Sequence, residues 1–255
     1  MMNRKYYYDT EANDDISIRI KAITFANSIA EKDDSITRIV LYVATKKSIG
    51  WFEGIFSPAQ IKQLFLGSRI KGIILPVKIE TTITYRDSYS ASDIVIAYGI
   101  RTKELRLLDD IQSAKYIISI PWIKADTEEW INSRNAINAE TGEASLMALP
   151  SAVVCIALKD LTENINLSTG ITHPMDSETA KRYIRALYKY EKEKLEGDVI
   201  EAYLITHLHW EARHAVQVRE LVDRLNEGRT FQGGSTISLD KLYEYWKEQI
   251  NTRRE

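Results

Sequence analysis

The chain has 255 residues, 44% of them hydrophobic and 27% charged, with a net charge of −2. That length supports two ordinary domains, each able to bury a core, and apolar runs such as Ile94–Tyr98 and Tyr116–Pro121 are far too short to cross a bilayer. Lys and Arg are balanced or outnumbered by Asp and Glu on both sides of residue 150, so nucleic-acid binding would have to come from a local patch.

The start, M-M-N-R-K-Y-Y-Y-D, is basic but leads into an acidic stretch through Glu11, Asp14 and Asp15 rather than an apolar segment, so no secretory signal is expected. The lone Cys155 cannot form an internal disulfide or a cysteine metal cluster, which suits a reducing cytosol. A cytoplasmic protein with no membrane association is the expectation.

Residues 14–31 carry a leading helix, with an Asp at its start as cap and Ile16, Ile20, Ile23 and Ala30 on the inward face. Strand texture follows in T-R-I-V-L-Y-V-A from Thr37, in the long β-rich stretch Lys71–Tyr85, in D-I-V-I-A-Y from Asp93 and in Y-I-I-S-I-P from Tyr116. Between them, S-P-A-Q-I-K-Q-L-F-L has Ser57 as cap and Pro58 at the first helical position, and T-K-E-L-R-L-L-D-D-I-Q-S-A has helical periodicity. Alternation of strands and helices predicts a Rossmann-like α/β sheet, mostly parallel; a bend or hairpin within Lys71–Tyr85 would make it mixed. Asp126–Arg134 reads as the last helix of this domain, and N-A-I-N-A-E-T-G-E as a polar connector, dividing the chain into an α/β domain, 1–140, and an all-helical domain, 141–255.

In the second domain Pro150 opens a helix with Val154, Leu158, Leu161 and Ile165 on one face, and His173-Pro174 marks a stop and restart. Asp176 or Ser177 caps a helix burying Ala180, Ile184, Leu187 and Tyr188; three more helices are expected over Asp198–Thr206, Trp210–Asn226 and Leu239–Ile250. T-H-L-H-W-E-A-R-H, from Thr206, holds three of the four histidines. An unbroken helix would align His207, Glu211 and His214 as metal-ligand types, but a helix of nearly thirty residues is far above the usual length of about 11 or 12, so a turn with Trp210 at the junction is the reading adopted, and no metal or cofactor is expected. That turn would give residues 177–227 the outline of a helix-turn-helix, with Glu211, Arg213, His214, Gln217, Arg219 and Arg224 facing outward and Arg213, Gln217, Arg219 and Arg224 as candidate nucleic-acid contacts. A helical bundle that packs or meets a protein partner is the favoured reading, because any antiparallel helix pair can produce the pattern.

For the α/β domain, ligands of open sheets sit beyond the carboxyl ends of the strands. The segments following three strands supply Lys46, Lys47, Ser48, Arg101, Thr102, Lys103 and Lys124, which suit an anionic small molecule or a nucleic-acid backbone, and Trp51, Tyr98 and Trp122, which suit stacking on a flat ligand. No dinucleotide fingerprint, P-loop or nucleophile elbow is present, and Cys155 lies in an apolar helical run. The expectation is therefore a non-catalytic or regulatory protein that binds a nucleotide or nucleic-acid phosphate at this rim, its helical domain engaging a protein partner or a second copy. A DNA-binding regulator, and an enzyme with a non-standard site on the rim, are the alternatives.

Overall fold

In the computed structural model, which describes residues 4–9, 15–145 and 148–252, the chain forms two compact units, Met1–Ser145 and Leu146–Glu255. The first is built on six strands, β1 Lys5–Tyr8, β2 Arg38–Val43, β3 Val77–Thr81, β4 Asp93–Tyr98, β5 Ala114–Ile120 and β6 Ile137–Asn138. They form one sheet in the order β3-β2-β4-β5-β1-β6, and every pairing between these strands is parallel.

A parallel sheet needs helical crossovers, and these cover both faces. Helices α1 Ile16–Ala30 and α2 Pro58–Leu66 pack on the face formed by Ile39, Leu41, Val43, Ile94, Ile96, Ile118 and Ile120. Helices α3 Thr102–Asp109 and α4 Glu128–Ser133 pack on the opposite face, against Val40, Tyr42, Val95, Ala97 and Ile117. The strict alternation of these positions along each strand gives the sheet two apolar faces, which is why the strands read as continuous β-branched runs. This is the Rossmann-like α/β fold with a helical second unit that the sequence predicts.

Local signals set the helix starts. Asp15 accepts the Ser17 N–H at the start of α1, and Ser57 with Gln60 forms a reciprocal capping box ahead of Pro58 in α2. Asp14, where the leading helix was expected to begin, lies outside the described residues.

Several expectations need correction. The inward face of α1 is Arg19, Ala22, Ile23, Ala26, Ile29 and Ala30, whereas Ile16 and Ile20 are exposed. Only Val77–Thr81 of the long β-rich stretch is a strand, and it pairs in parallel with β2, so the stretch does not make the sheet mixed. The K-Y-Y-Y segment, read only as a non-leader, is β1 and lies between β5 and β6; the polar connector contributes β6 itself.

The second unit consists of α5 Ala152–Asn164, α6 Pro174–Glu191, α7 Gly197–Thr206, α8 Ala212–Asn226 and α9 Leu239–Thr252. Their apolar stripes meet around Leu158, Leu161, Ile184, Leu187, Leu204, Val218 and Trp246. Helix α6 starts at Pro174, with His173 as cap residue and Asp176 inside the first turn, one turn earlier than a cap at Asp176 or Ser177 implies. Among the described residues no helix is long and apolar enough to cross a membrane.

Candidate functional site

In an open sheet the crevice lies where neighbouring strands send their chains in opposite directions. Strand β2 continues through α2 to β3 on one side, and its neighbour β4 continues through α3 to β5 on the other, on the opposite face. The parting point is therefore between the carboxyl ends of β2 and β4.

Two segments meet there. After β2 the chain enters a 3-10 turn, Lys46–Phe52, and after β4 it bends at Gly99, whose φ is +58°. A Cβ at Gly99 would lie 2.7 Å from Cζ2 of Trp51. Glycine is required twice over, for the left-handed backbone and for the approach of the indole. Trp51 also stands edge-on to Trp122, which follows β5, with ring centroids 4.7 Å apart at 82°.

The third contributor comes from α1, whose N-terminal turn emerges at the same edge because β1 runs parallel to its neighbours. Arg19 of that turn is 6% exposed. Its guanidinium carbon lies 4.8 Å from the centroid of the Trp51 ring, and Nη1 donates to the Trp51 carbonyl at 2.9 Å. Its Nε is buried without an acceptor, and among the described residues no carboxylate lies within ion-pair distance of it. Arg19, Lys47, Ser48, Gly50, Trp51 and Trp122 line an open cleft of about 310 Å³.

A buried guanidinium that meets a carboxylate, Asp15, only through space and leaves its Nε without an acceptor is costly, since each unmet donor forgoes about 1–3 kcal/mol. An anion in the cleft would supply the missing acceptor and charge. Lys47, exposed, adds a second cation, and Ser48 adds a hydroxyl that is 3.3 Å from Thr45 Oγ1. None of the lining residues is a carboxylate, a cysteine or a histidine, so the lining offers binding groups and no evident general base.

Of the ten rim residues expected from sequence, Lys47, Ser48, Trp51 and Trp122 are thus brought together. Lys46 turns aside, its ammonium 5.8 Å from the Phe65 ring. Tyr98 is buried in the sheet face and its hydroxyl donates to the Arg19 carbonyl at 3.4 Å, so it supports the cleft from beneath instead of stacking on a ligand. Burial drives its phenol well above the ordinary range, and it stays neutral. Arg101 is exposed and lies 3.8 Å from Asp126, Thr102 Oγ1 donates to the Asp126 carbonyl, and Lys103 and Lys124 are exposed outside the lining. Arg19 and Gly50 were not anticipated; the available signal was a cation heading the small-residue stripe Ala22, Ala26, Ala30.

In the second unit the turn reading of T-H-L-H-W-E-A-R-H holds. Helix α7 ends at Thr206, His209 has φ +59°, and α8 begins at Ala212. His207 stacks on Tyr203, and Trp210 is buried with its indole N–H donating to Thr162. His214 is buried, its ring so close to Gly170, at φ +54°, that a Cβ there would sit 2.2 Å from Cγ.

The expected outward face of α8 therefore needs correction. His214 faces inward, and Arg219 is held by Asp198, Glu201 and Asp223 at 3.0–3.3 Å. Gln217 is half-buried and Arg213 pairs with Glu211 at 2.7 Å, while Arg224 is exposed. Such a surface offers few cations to a phosphate backbone.

Residues 150–247 match a family model described as a domain of unknown function, DUF1889, which spans α5 through most of α9 and leaves the α/β unit with its cleft outside the match. No curated protein and no solved structure matches the chain.

Proposed function

We propose that the α/β unit binds a phosphate-bearing, flat ligand, a nucleotide or a nucleic-acid phosphate, in the cleft at the carboxyl ends of β2, β4 and β5, and that it does so as a non-catalytic or regulatory element. The observation that carries this reading is Arg19, a guanidinium 6% exposed, without a carboxylate partner among the described residues, in the lining of an open cleft. Lys47 and Ser48 add phosphate contacts, and the partly exposed Trp122 offers a surface for a ring. The lining contains no carboxylate, cysteine or histidine, which favours binding over turnover.

The test is titration of the full chain with AMP, adenosine and inorganic phosphate, read by tryptophan fluorescence and calorimetry. AMP is expected to saturate, with adenosine at least tenfold weaker. Arg19→Ala should weaken AMP about 10- to 150-fold, the loss of about 1.5–3 kcal/mol associated with a hydrogen bond to a charged group. Arg19→Lys, which keeps the charge but not the planar fork, should fall between the two. Equal AMP affinity in the wild type and both variants, with circular dichroism unchanged, would remove the reading.

A further inference from the structure

On the function proposed above, the donor atoms of the cleft decide which kind of phosphate it suits. Arg19 has one unused edge. Its Nη1 donates to the Trp51 carbonyl, its Nε is buried without an acceptor, and its Nη2 has no hydrogen-bond partner among the described residues. Nε and Nη2 together form a side-on fork that takes two oxygens at once. The same two atoms of Arg38 grip the two oxygens of Asp93 at 2.7 and 2.9 Å. At Arg19 the fork grips no carboxylate, since Asp15 acts on it only through space.

Two more donors share the lining: the exposed Lys47, and the Ser48 hydroxyl, 3.3 Å from Thr45 Oγ1. Oxygen count then separates the ligands. A carboxylate has two oxygens and a phosphodiester has two that are not esterified, so either spends both on the fork. A phosphate monoester keeps a third for Lys47 or Ser48. With its second pKa of about 6 it also carries close to two negative charges at pH 7, which match Arg19 and Lys47.

Access favours the same group. Arg19 is 6% exposed, its guanidinium carbon 4.8 Å from the centroid of the Trp51 ring, whereas Trp122 is 45% exposed. The phosphate therefore enters ahead of its ring. A group that ends in free oxygens reaches such a recess, while the middle of a strand, substituted on both sides, has to clear the indole. Outside the lining the rim carries both signs: Lys46, Lys103 and Lys124 are exposed, Arg101 lies 3.8 Å from Asp126, and Glu53 is exposed. These groups neither exclude a strand nor select one, so discrimination falls to the end that enters.

We infer that the cleft selects a terminal phosphate monoester, gripped by the Arg19 fork and completed by Lys47 or Ser48, over a phosphodiester or a carboxylate. A free mononucleotide and the 5′-phosphorylated end of a strand both present that chemistry.

The full chain is titrated by calorimetry with AMP, with its 5′-methyl ester and with adenosine 5′-carboxylate, and then with an adenylate octamer that carries either a 5′-phosphate or a 5′-hydroxyl. AMP is expected to bind about tenfold or more tightly than the methyl ester and the carboxylate, the worth of one hydrogen bond to a charged group. A phosphorylated octamer about tenfold tighter than its hydroxyl counterpart would support the inference and extend it to strand ends; binding of AMP with neither octamer would support it and assign the cleft to the free nucleotide. A methyl ester or carboxylate within about threefold of AMP would overturn it and leave the anion site standing. Octamers that bind alike, more tightly than AMP and with an affinity falling steeply as salt rises, would also overturn it, because internal diesters would then be the ligand. Binding of none of these compounds would remove the inference together with the reading beneath it. The double variant Lys47→Met, Ser48→Ala takes away the donors to the third oxygen: AMP should weaken about tenfold and come within about threefold of the methyl ester. A preference for AMP that survives in full in this variant would overturn the role of the third oxygen.

Discussion

Replacing Gly99 by alanine isolates the packing that shapes the cleft. At φ +58° an alanine adopts the left-handed region at a cost of about 1–2 kcal/mol. Its methyl would also lie 2.7 Å from Trp51 Cζ2, against an optimal carbon separation of about 3.5–4.0 Å. The indole cannot simply swing away, because Arg19 and Trp122 pack against it. Overpacking of this kind costs about 1–3 kcal/mol, so Gly99→Ala should destabilise the α/β unit by about 2–5 kcal/mol. In a Trp51→Ala background the ring is gone and only the backbone cost of about 1–2 kcal/mol should remain. Urea unfolding followed by far-ultraviolet circular dichroism, carried out on all four proteins of the cycle, gives the coupling directly. An identical cost of Gly99→Ala in both backgrounds would refute the claim that Trp51 is what the glycine accommodates, and a cost below about 0.5 kcal/mol would refute the backbone argument as well.

Two further predictions concern the opposite edge of the sheet. Asp93 is fully buried and accepts from Arg38 Nε and Nη2 at 2.7 and 2.9 Å and from the Tyr85 hydroxyl at 2.7 Å; Arg38→Ala should cost about 3–5 kcal/mol in urea unfolding, since it strands a buried carboxylate, and a loss under 1 kcal/mol would refute this. Asp33 is held well below the usual carboxylate range by hydrogen bonds from Ser35 and Lys115, with a further one from Tyr116. A depressed folded-state pKa stabilises above the unfolded value and is lost as pH falls, so the advantage of wild type over Asp33→Asn in thermal melts should be full at pH 7 and shrink from about pH 4 toward pH 2; a gap that stays constant over that range would refute the assignment.

The parts of the fold that were legible share one property: a side-chain pattern long enough to repeat. The D-I-V-I-A-Y strand, the Ser57-Pro58 helix start and the His207–Trp210 turn each combine periodicity with a cap or a length argument. Strand β6 spans two residues, too few for any period, and exists because its backbone pairs with Tyr7 and Tyr8. Strand β1 has four residues, three of them tyrosines that serve both faces of the sheet, so no alternation marks it. In the Lys71–Tyr85 stretch, β-branched residues outside Val77–Thr81 occupy turns, where β propensity is overridden by Gly72 at φ +85° and by Pro76.

The site was half legible for a related reason. Topology alone points to the residues after the strands, and it delivered Lys47, Ser48, Trp51 and Trp122. What it could not deliver was a residue from a helix before the sheet's second strand, because hydrophobicity, though right for Ile23 and Ala30, turned the inward face of α1 toward Ile16 and Ile20. Large isoleucines at 16 and 20 outweigh alanines in any count of apolar character, yet the buried stripe of α1 combines Ala22, Ala26 and Ala30 with Ile23 and Ile29 and leaves Ile16 and Ile20 outside. Once Ala22, Ala26 and Ala30 define the inner stripe, Arg19 falls on it at the end nearest the strand termini. A charged residue on a buried stripe is tolerated only where something compensates it. Within the described residues Arg19 bonds a backbone carbonyl and faces an indole, neither of them charged, and interacts with the Asp15 carboxylate only through space. We propose that the remaining compensation comes from the ligand, so that the same guanidinium that makes the helix face hard to read would give the cleft its chemistry.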